Sequence, residues 1–348
     1  MELYPLIDDI LLESPIDVKG YNIGVSKKGK HIQGFRFGCG PKNISLIAGN
    51  HADEPIGPLL LKKLVSYFFT LSKDHYLFQY FSWWIVPHTN PDGEQLNLKW
   101  YGYNDDSTDL SSYLKHAVRE LPGEDIEFGF PIKNQFSSLR SENEVVYNFW
   151  KTAKAPFHLH VSLHGMAKSY GAWFLIDNAW KNRTQNLQLE CLKRTKQLGY
   201  DLFDLDRKGE KGFYRIAEGF CTRPDSKGMR QHFLGLDNEI MANKFYPSSM
   251  ESIRSLGGDC LTLVSEMPLF LFPKKERELI WPDPYLQQWS DQFLKWKIQL
   301  LNNSISSKKL LSEMKTLQVI AMPWKDQLRL QWQLIISGLK VAKEKNEF

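Results

Sequence analysis

Four ionisable side chains stand directly behind apolar stretches of the sequence. His51 and Glu54 lie three residues apart after the apolar run that ends at Gly49. His164 closes the run FHLHVSLH, and Glu266 closes the run LTLVSE. Imidazole nitrogens and carboxylate oxygens bind transition metals and transfer protons near neutral pH. The four residues therefore predict a metal-dependent catalytic site, provided that the fold brings them together.

Two imidazoles and one carboxylate are the protein ligands of an open zinc site, in which a water molecule completes the coordination. We predict one zinc ion per chain, held by His51, Glu54 and His164. Glu266 is then the predicted general base toward the water that zinc activates. The ligands lie too far apart in the sequence for a zinc finger, whereas ligands carried by different strands have such separations.

Each of these motifs is weak by itself. A His-x-x-Glu pair is more often part of a loop or of a helix cap than of a metal site. A single histidine at the end of a strand is commonly a hydrogen-bonded rim residue, and Glu266 could equally begin a helix. The occurrence of all four residues behind strands of one chain is what favours catalysis.

Strands and helices alternate along this part of the sequence, as in a sheet built from crossover connections. Apolar, β-branched runs predict strands over 43–49, 80–89, 157–165 and 259–270, the second of which runs into a turn at Asn-Pro-Asp-Gly. Helical spacing of apolar residues predicts a helix over 55–72, and Ser141 is predicted to cap a helix over 141–153. This pattern is typical of a mainly parallel α/β sheet covered on both faces, whose ligands bind beyond the carboxyl ends of the strands.

The composition excludes several classes of protein. The 348 residues are 42% hydrophobic and 24% charged, with a formal net charge of +4 and no basic stripe, which argues against a nucleic-acid partner. No stretch approaches the ~18 apolar residues that a membrane span needs. The beginning of the sequence lacks the pattern of a secretory signal, and the four cysteines occur singly. We therefore predict a cytoplasmic protein without a membrane partner, while the oligomeric state stays open.

The order of the motifs resembles that of the zinc carboxypeptidase family. GNHADEP is followed by NPDG, SENEV, SLHG and an apolar strand that ends in glutamate, and the resemblance covers roughly residues 35–271. It implies a mixed eight-stranded sheet flanked by helices on both faces. It places the zinc ligands and the catalytic carboxylate on the four residues already named. The three expected parts of the chain are an N-terminal prelude over 1–34, a catalytic domain over 35–272 and a helical C-terminal extension over 273–348, packed on or near that domain.

The resemblance also assigns residues around the metal. The segment DIEFGFP stands where the family carries Asp-x-Asn-Arg-Asn-Phe-Pro. Asp125 is therefore expected to hold the second ring nitrogen of His51. Glu127 and Phe128 replace the asparagine and arginine that bind the carboxylate of the substrate, and they are expected to line the substrate site. A glutamate there would favour a cationic or amino-bearing group.

A phenyl ring cannot replace a guanidinium in the bidentate binding of a carboxylate. Either another arginine binds that group or the substrate does not end in an α-carboxylate. The candidate arginines are Arg140, Arg215, Arg223 and Arg230. Arg119 is the candidate for the arginine that polarises the scissile carbonyl, and Tyr246 matches the mobile tyrosine of the family.

Three functions remain compatible with these residues. The first is hydrolysis of a peptide amide bond, of the metallocarboxypeptidase type. The second is a cytoplasmic zinc amidase or deacylase for an unusual small amide, such as a cell-wall peptide or an N-acyl amino acid, which Glu127 and Phe128 favour. The third is a binding module that keeps the fold without catalysis, and the presence of all four chemical residues argues against it.

Overall fold

A computed structural model describes residue 15 and residues 20–101, 106–121, 123–133 and 140–344. Within these ranges the chain forms one ten-stranded sheet, with the strand order β1-β2-β4-β3-β5-β9-β6-β8-β7 and with β10 paired to β9. The strands are β1 (Tyr21–Val25), β2 (His31–Phe37), β3 (Lys42–Ala48), β4 (Phe81–Val86), β5 (Phe157–Ser169), β6 (Trp173–Ile176), β7 (Arg215–Ala217), β8 (Phe220–Thr222), β9 (Leu261–Leu271) and β10 (Ile320–Ala321).

Twelve α-helices are present in the described ranges, and none of them is long and apolar enough to cross a membrane. Two short 3₁₀ segments, at Asn178–Arg183 and Glu210–Gly212, accompany them. The helices are α1 (Ile56–Thr70), α2 (Tyr76–Tyr80), α3 (Pro91–Asn97), α4 (Leu110–His116), α5 (Ser141–Trp150), α6 (Gln185–Gln197), α7 (Ser226–Leu234), α8 (Glu239–Ala242), α9 (Ser249–Ser255), α10 (Pro284–Leu301), α11 (Ser307–Thr316) and α12 (Trp324–Glu344).

The centre of the sheet is parallel and its flanks contain antiparallel pairs. Strands β4, β3, β5 and β9 pair in parallel, as crossover connections through helices require. Antiparallel pairs join β1 to β2, β2 to β4 and β9 to β6. The predicted α/β class with a mixed sheet is confirmed, and the described part of the sheet has two strands more than the eight expected.

Each face of the sheet has its own apolar core, because successive residues of a strand point to opposite faces. Leu46 of β3 belongs to the larger core, to which α1, α10 and α12 contribute. Ile47 belongs to the smaller core, to which α5 and α9 contribute. Strand β3 is buried at every position, which explains why its sequence from Ile44 to Ala48 is almost continuously apolar, interrupted only by Ser45.

Strand β5 is longer than predicted and continues to Ser169, whereas β9 agrees with the predicted range to within two residues at each end, and the two strands run side by side. They stay paired from Leu159 opposite Leu261 to Ser169 opposite Leu271. The prediction that His164 and Glu266 stand at the carboxyl ends of their strands was therefore wrong. Both residues lie inside the strands and face each other across the ladder, while β3 ends earlier and leaves this part of β5 beside the loop that follows β3.

Two helix starts differ from the predictions. The Asn-Pro-Asp-Gly segment is not a turn that ends a strand. It begins α3, because the side chain of Asn90 accepts a hydrogen bond from the backbone N–H of Gly93 at 2.9 Å and Pro91 takes the first helical position. Ser141 is the first residue of α5 rather than its cap, since the extended backbone of Arg140 takes the N-cap position.

The C-terminal helices share the larger core with the sheet. Trp289, Phe293 and Trp296 of α10 are buried, whereas Leu301, the last residue of the helix, is 58% exposed. The division of the chain at residues 34 and 272 stays a prediction.

Helix α12 is fitted closely against the centre of the sheet. A Cβ at Gly338 would lie 2.9 Å from Cδ1 of Leu263 and 3.0 Å from Cδ1 of Leu159, so a larger residue would require these leucine side chains to shift. The side-chain amide of Gln331 donates a hydrogen bond to the backbone carbonyl of His164 at 3.1 Å. The helix therefore supports the part of β5 that carries His164.

We predict that Ile335→Ala in α12 lowers the free energy of unfolding by about 2–5 kcal/mol, because the side chain is fully buried and its removal leaves a cavity. Ile298→Ala in α10 is the matched control, since Ile298 is 52% exposed and its truncation should cost no more than about 0.5 kcal/mol. Urea unfolding of both variants measures the difference. Equal destabilisation by the two substitutions would contradict the packing of α12 on the sheet.

Candidate metal centre

Three side chains converge where the loop after β3 passes β5. One ligand atom from each of His51, Glu54 and His164 can be chosen so that all three lie within 4.8 Å of one another. The Nδ1 atom of His51 lies 2.8 Å from Oε1 of Glu54, and the Nδ1 atom of His164 lies 3.0 Å from Oε2 of Glu54. The two Nδ1 atoms are 3.2 Å apart. These are the three residues that the sequence predicted as ligands.

The loop after β3 turns sharply enough to bring its side chains over β5. Gly49 has a φ of +77°, in the left-handed region that glycine tolerates, and a Cβ there would lie 2.5 Å from Nδ1 of His88. The hydroxyl of Tyr101 donates a hydrogen bond to the carbonyl of Ala52 in the same loop. Helix α1 begins directly after the loop, so both ends of the loop are fixed by buried elements.

The donor set fits zinc. Two imidazole nitrogens and a carboxylate, all facing one point, are ligands that zinc binds at about 2.0–2.2 Å, and three protein ligands leave a position for water. The second nitrogen of His164, Nε2, points away from this cluster and lies 2.8 Å from Oγ of Ser162 and 3.2 Å from Oε2 of Glu127. Partners on the far side of a ring are what orients a histidine ligand.

Opposite charges stabilise the buried ligands. Burial opposes the ionisation of Glu54, but the positive charges of the two histidines and Arg119 outweigh it, and the pKa of Glu54 lies well below its usual range. Burial likewise opposes the imidazolium of His164, but the carboxylates of Glu127 and Glu54 outweigh it and raise the pKa of His164. The ionisation of Glu54 and that of His164 therefore stabilise each other.

Glu266 faces His164 across the β5–β9 ladder. Burial, and next the negative charge of Glu54, raise the pKa of Glu266 to about 8, while the charges of His164 and Arg119 oppose the rise. A carboxyl group whose pKa is close to neutrality can both accept and return a proton under working conditions. The geometry brings Glu266 to the cluster, and its role as general base stays a prediction.

Arg119, the candidate for polarising a substrate carbonyl, reaches the same cluster from the segment after α4. Its NH1 atom lies 2.9 Å from Oε1 of Glu54 and 3.1 Å from Oδ1 of Asp53, and its NH2 atom lies 2.9 Å from Nδ1 of His51. The side chain is 46% exposed, so it stands between the buried ligands and solvent. A cation in this position is accessible to a substrate.

Asp125 shapes the segment that carries the predicted substrate residues. Its Oδ1 atom accepts hydrogen bonds from the backbone N–H groups of Glu127 at 3.1 Å and Phe128 at 3.4 Å. Burial raises the pKa of Asp125, and the charge on His51 opposes the rise. The expected role of Asp125 in holding His51 stays a prediction.

The side chain of Glu127 has polar neighbours, whereas that of Phe128 packs on another aromatic ring. Glu127 is only 9% exposed, and its Oε2 atom accepts a hydrogen bond from Nδ2 of Asn50 at 2.6 Å. Phe128 is half-buried, its backbone pairs with Ser248, and its ring packs edge-on against Phe245 with the centroids 5.2 Å apart. Their expected contacts with substrate stay predictions.

The two remaining predicted residues are Arg140 and Tyr246. Arg140 is engaged by carboxylates, since its NH1 lies 2.7 Å from Glu120 and its NH2 2.9 Å from Glu142. Tyr246 is half-buried in the segment between α8 and α9. The structure thus brings Arg119 into contact with the predicted metal ligands His51 and Glu54, whereas the roles of Arg140 and Tyr246 stay predictions.

Sequence reasoning missed two polar residues of this centre and left a third among several alternatives. Asn50 and Ser162 contact Glu127 and His164 respectively. Ser162 could have been found, because it precedes His164 by two residues and therefore shares its face of β5. Arg223 lies directly after β8, and its side chain is 2% exposed, with NH2 3.3 Å from Oε1 of Glu127.

His88 is a buried neutral imidazole beside this loop. Its Nδ1 atom accepts a hydrogen bond from the backbone N–H of Asn90 at 3.1 Å, and its Nε2 atom has no hydrogen-bond partner among the described residues. Burial lowers the pKa of His88 to about 4, against the opposing charge of Glu94. The folded state therefore disfavours protonation of this ring.

Comparison with protein families gives a match to the family described as zinc carboxypeptidase, over residues 3–188, which is more than half of the chain. Zinc carboxypeptidase A 1 of Anopheles gambiae is 28% identical over 107 residues, covering 28% of this chain and 25% of that protein. The chain therefore matches about a quarter of the length of this curated relative.

Two crystal structures share the fold over nearly the whole chain. The carboxypeptidase A of Helicoverpa armigera has a TM-score of 0.50 and 10% identity, covering 94% of this chain and 69% of that one. A protein from Shewanella amazonensis assigned as a metallopeptidase has a TM-score of 0.50 and 11% identity, covering 93% of this chain and 87% of that one. At these identities the likeness concerns the fold alone.

We predict that the stability conferred by neutral His88 is lost on acidification. The unfolded chain takes up a proton near pH 6.5 and the folded chain only near pH 4, so the loss develops between these values and reaches about 2 kcal/mol at pH 5. His88→Gln removes this titration. The measurement is urea unfolding of zinc-free wild type and variant at pH 7.5 and pH 5, and parallel losses in the two proteins would contradict the prediction.

Proposed function

Because the chain belongs to the zinc carboxypeptidase family, we propose that it is a zinc metallopeptidase that hydrolyses an amide bond at the carboxyl-terminal end of a peptide. The observation that carries this proposal is the cluster of His51, Glu54 and His164 with Glu266 opposite His164. Zinc is the ion of this family, which agrees with the predicted cofactor. The substrate and the residue roles are the proposed parts.

We assign the zinc ligands to Nδ1 of His51, Nδ1 of His164 and the carboxylate of Glu54. The support is that these atoms face one another, while Nε2 of His164 is turned toward Ser162 and Glu127. When bound, the zinc ion supplies Lewis acidity that lowers the pKa of a water molecule and polarises the substrate carbonyl.

Glu266 is assigned as the general base. Its carboxylate accepts the proton of the attacking water and later donates it to the leaving amine, so the proton is returned within one turnover. The half-buried position of Glu266 among the negative charge of Glu54 and the positive charges of His164 and Arg119 suits both transfers. Arg119 is assigned to the negative charge that develops on the carbonyl oxygen, since its exposed guanidinium already lies against the ligands.

The second candidate is an amidase or deacylase that acts on an unusual small amide. It is favoured by the environment of Phe128, whose ring packs on Phe245 where the family carries a carboxylate-binding arginine. Arg140 is already engaged by Glu120 and Glu142. A substrate without a free α-carboxylate would not need the missing contact.

We also propose that the protein works in the cytoplasm. The support is that its four cysteines, Cys39, Cys191, Cys221 and Cys260, are free thiols in the structure, three of them buried. Reduced cysteines are the rule in that compartment.

We predict that His164→Ala removes zinc, because one of three proposed ligands is lost. Wild-type protein should retain about one zinc per chain after dialysis, as expected for an open site with three protein ligands. The matched control is His31→Ala, an exposed histidine of β2 that contacts Asn22. Atomic absorption measures the metal content of all three proteins, and full occupancy in His164→Ala would show that the ligands are wrongly assigned.

We predict that Glu266→Gln keeps its zinc and lowers turnover by about 10²–10⁴-fold, because an amide cannot accept the proton. Glu276→Gln, at an exposed position, is the control. The assay is release of the terminal amino acid from blocked dipeptides, run beside N-acyl amino acids and γ-linked peptides. A variant that keeps more than half of the wild-type activity would exclude Glu266 as the base.

The same assay separates the candidate functions. Release from blocked dipeptides supports the carboxypeptidase. Hydrolysis confined to N-acyl or γ-linked substrates supports the amidase. Zinc-loaded protein that hydrolyses none of them supports the third function, a binding module.

A further inference from the structure

We propose that Glu127 is a positioning residue that orients the metal ligand His164 and is itself held by Arg223, rather than a residue that contacts the substrate. The inference rests on the proposed function in one respect, namely that His164 binds zinc. It goes beyond that function because it assigns the orientation of His164 to two further residues, the carboxylate of Glu127 and the guanidinium of Arg223, which are 96 positions apart in the sequence.

Both oxygens of Glu127 are already engaged by protein donors. Oε2 lies 2.6 Å from Nδ2 of Asn50 and 3.2 Å from Nε2 of His164, and Oε1 lies 3.3 Å from NH2 of Arg223. The residue is 9% exposed. A carboxylate that selects a cationic group of a substrate needs an oxygen directed to the substrate, whereas this one is directed to the rear of a ligand.

The two ring nitrogens of His164 have opposite surroundings. Nδ1 faces the other proposed ligands, 3.0 Å from Glu54 and 3.2 Å from His51, whereas Nε2 faces Glu127 and Ser162. A carboxylate beside Nε2 keeps the proton on that nitrogen and leaves the lone pair of Nδ1 for a metal. Glu127 therefore fixes both the tautomer and the orientation of the ring.

A carboxylate at this depth requires a compensating cation. Arg223 provides it, with a side chain that is 2% exposed. Its NH2 atom also donates a hydrogen bond to Oγ of Ser249 at 2.6 Å, and that hydroxyl lies 3.1 Å from Nε2 of His160. The guanidinium is thus anchored to Ser249 of α9 and, through that hydroxyl, to His160 of β5, the strand that also carries His164.

Glu127 also joins the two segments that carry the ligands. Asn50, which donates to it, directly precedes His51, and Oδ1 of Asn50 accepts a hydrogen bond from the hydroxyl of Thr89 at 2.8 Å. The loop after β3 and strand β5 therefore meet at one buried carboxylate. Removal of that charge should loosen the spacing between His51 and His164 as well as the orientation of His164.

The test is the zinc affinity of Glu127→Gln, measured without substrate by competition with a chromogenic chelator. Loss of a partner on the far side of a ligand typically weakens metal binding by about 10–100-fold, and we expect a loss in that range. The cobalt-substituted variant should also show an altered visible absorption spectrum. With zinc at saturation, the KM of the variant should stay within about twofold of wild type, since no substrate contact is removed.

Glu142→Gln is the matched control. Glu142 is fully buried and paired with an arginine, Arg140, but contacts neither His51 nor His164. Its substitution should leave the zinc affinity unchanged. If Glu127→Gln does not fold, Glu127→Asp is the variant that tests the inference. It keeps the negative charge opposite Arg223, but its shorter side chain moves the oxygens away from His164. Its zinc affinity should still fall by about tenfold.

Wild-type zinc affinity in Glu127→Gln, or in Glu127→Asp where the former fails to fold, overturns the inference. A raised KM at unchanged affinity does so as well and returns Glu127 to the substrate site. Failure of the proposed function is distinguishable, because His164→Ala would then keep its zinc. Loss of zinc in His164→Ala together with normal affinity in Glu127→Gln refutes this inference alone.

Discussion

The register of the parallel β5–β9 pair is the constraint on which the site depends. It sets His164 opposite Glu266, and it is maintained by ten residue pairs along the two strands. A slip by one residue would turn every side chain of the moving strand to the other face, so the proposed ligand His164 and the proposed base Glu266 would be separated by the sheet. Gln331 of α12 holds the carbonyl of His164 in place, which links this register to the packing of the C-terminal helix.

Charge compensation divides the two arginines of the centre between different tasks. Arg119 is 46% exposed and is paired with Glu54, whereas Arg223 is 2% exposed and is paired with Glu127. A buried ion pair adds little to the free energy of unfolding, because the desolvation of both charges offsets most of their attraction. Its main effect in this centre is to fix the positions of the two side chains. An exposed cation keeps the freedom to meet a developing negative charge. The depth of burial, rather than the residue type, therefore distinguishes the proposed supporting role of Arg223 from the proposed catalytic role of Arg119.

The sequence made the local parts of this site predictable. His51 and Glu54 follow a strand whose almost continuous apolar run indicates that both of its faces are buried, and this pattern predicted a mainly parallel α/β sheet. That the sheet is mixed was implied by the family resemblance. The length of β5 was not predictable, because residues 165–168 are only half-buried and owe their extended form to pairing with β9. The contact of Glu127 with Arg223 bridges 96 positions of the chain, and no spacing rule reaches so far.

Metal binding and the order of the loops are coupled in such an arrangement. The proposed ligands come from a loop and from a strand, and their mutual support passes through Glu127 to Asn50 and Arg223. An ion that binds only the assembled form stabilises it by mass action, and the same ion binds more tightly when the segments are held in place beforehand. In the proposed arrangement, Glu127, Asn50 and Arg223 hold His164 in the orientation that zinc binding requires before any substrate is bound. The arrangement buries the carboxylate of Glu127, and the charge of Arg223 balances that carboxylate.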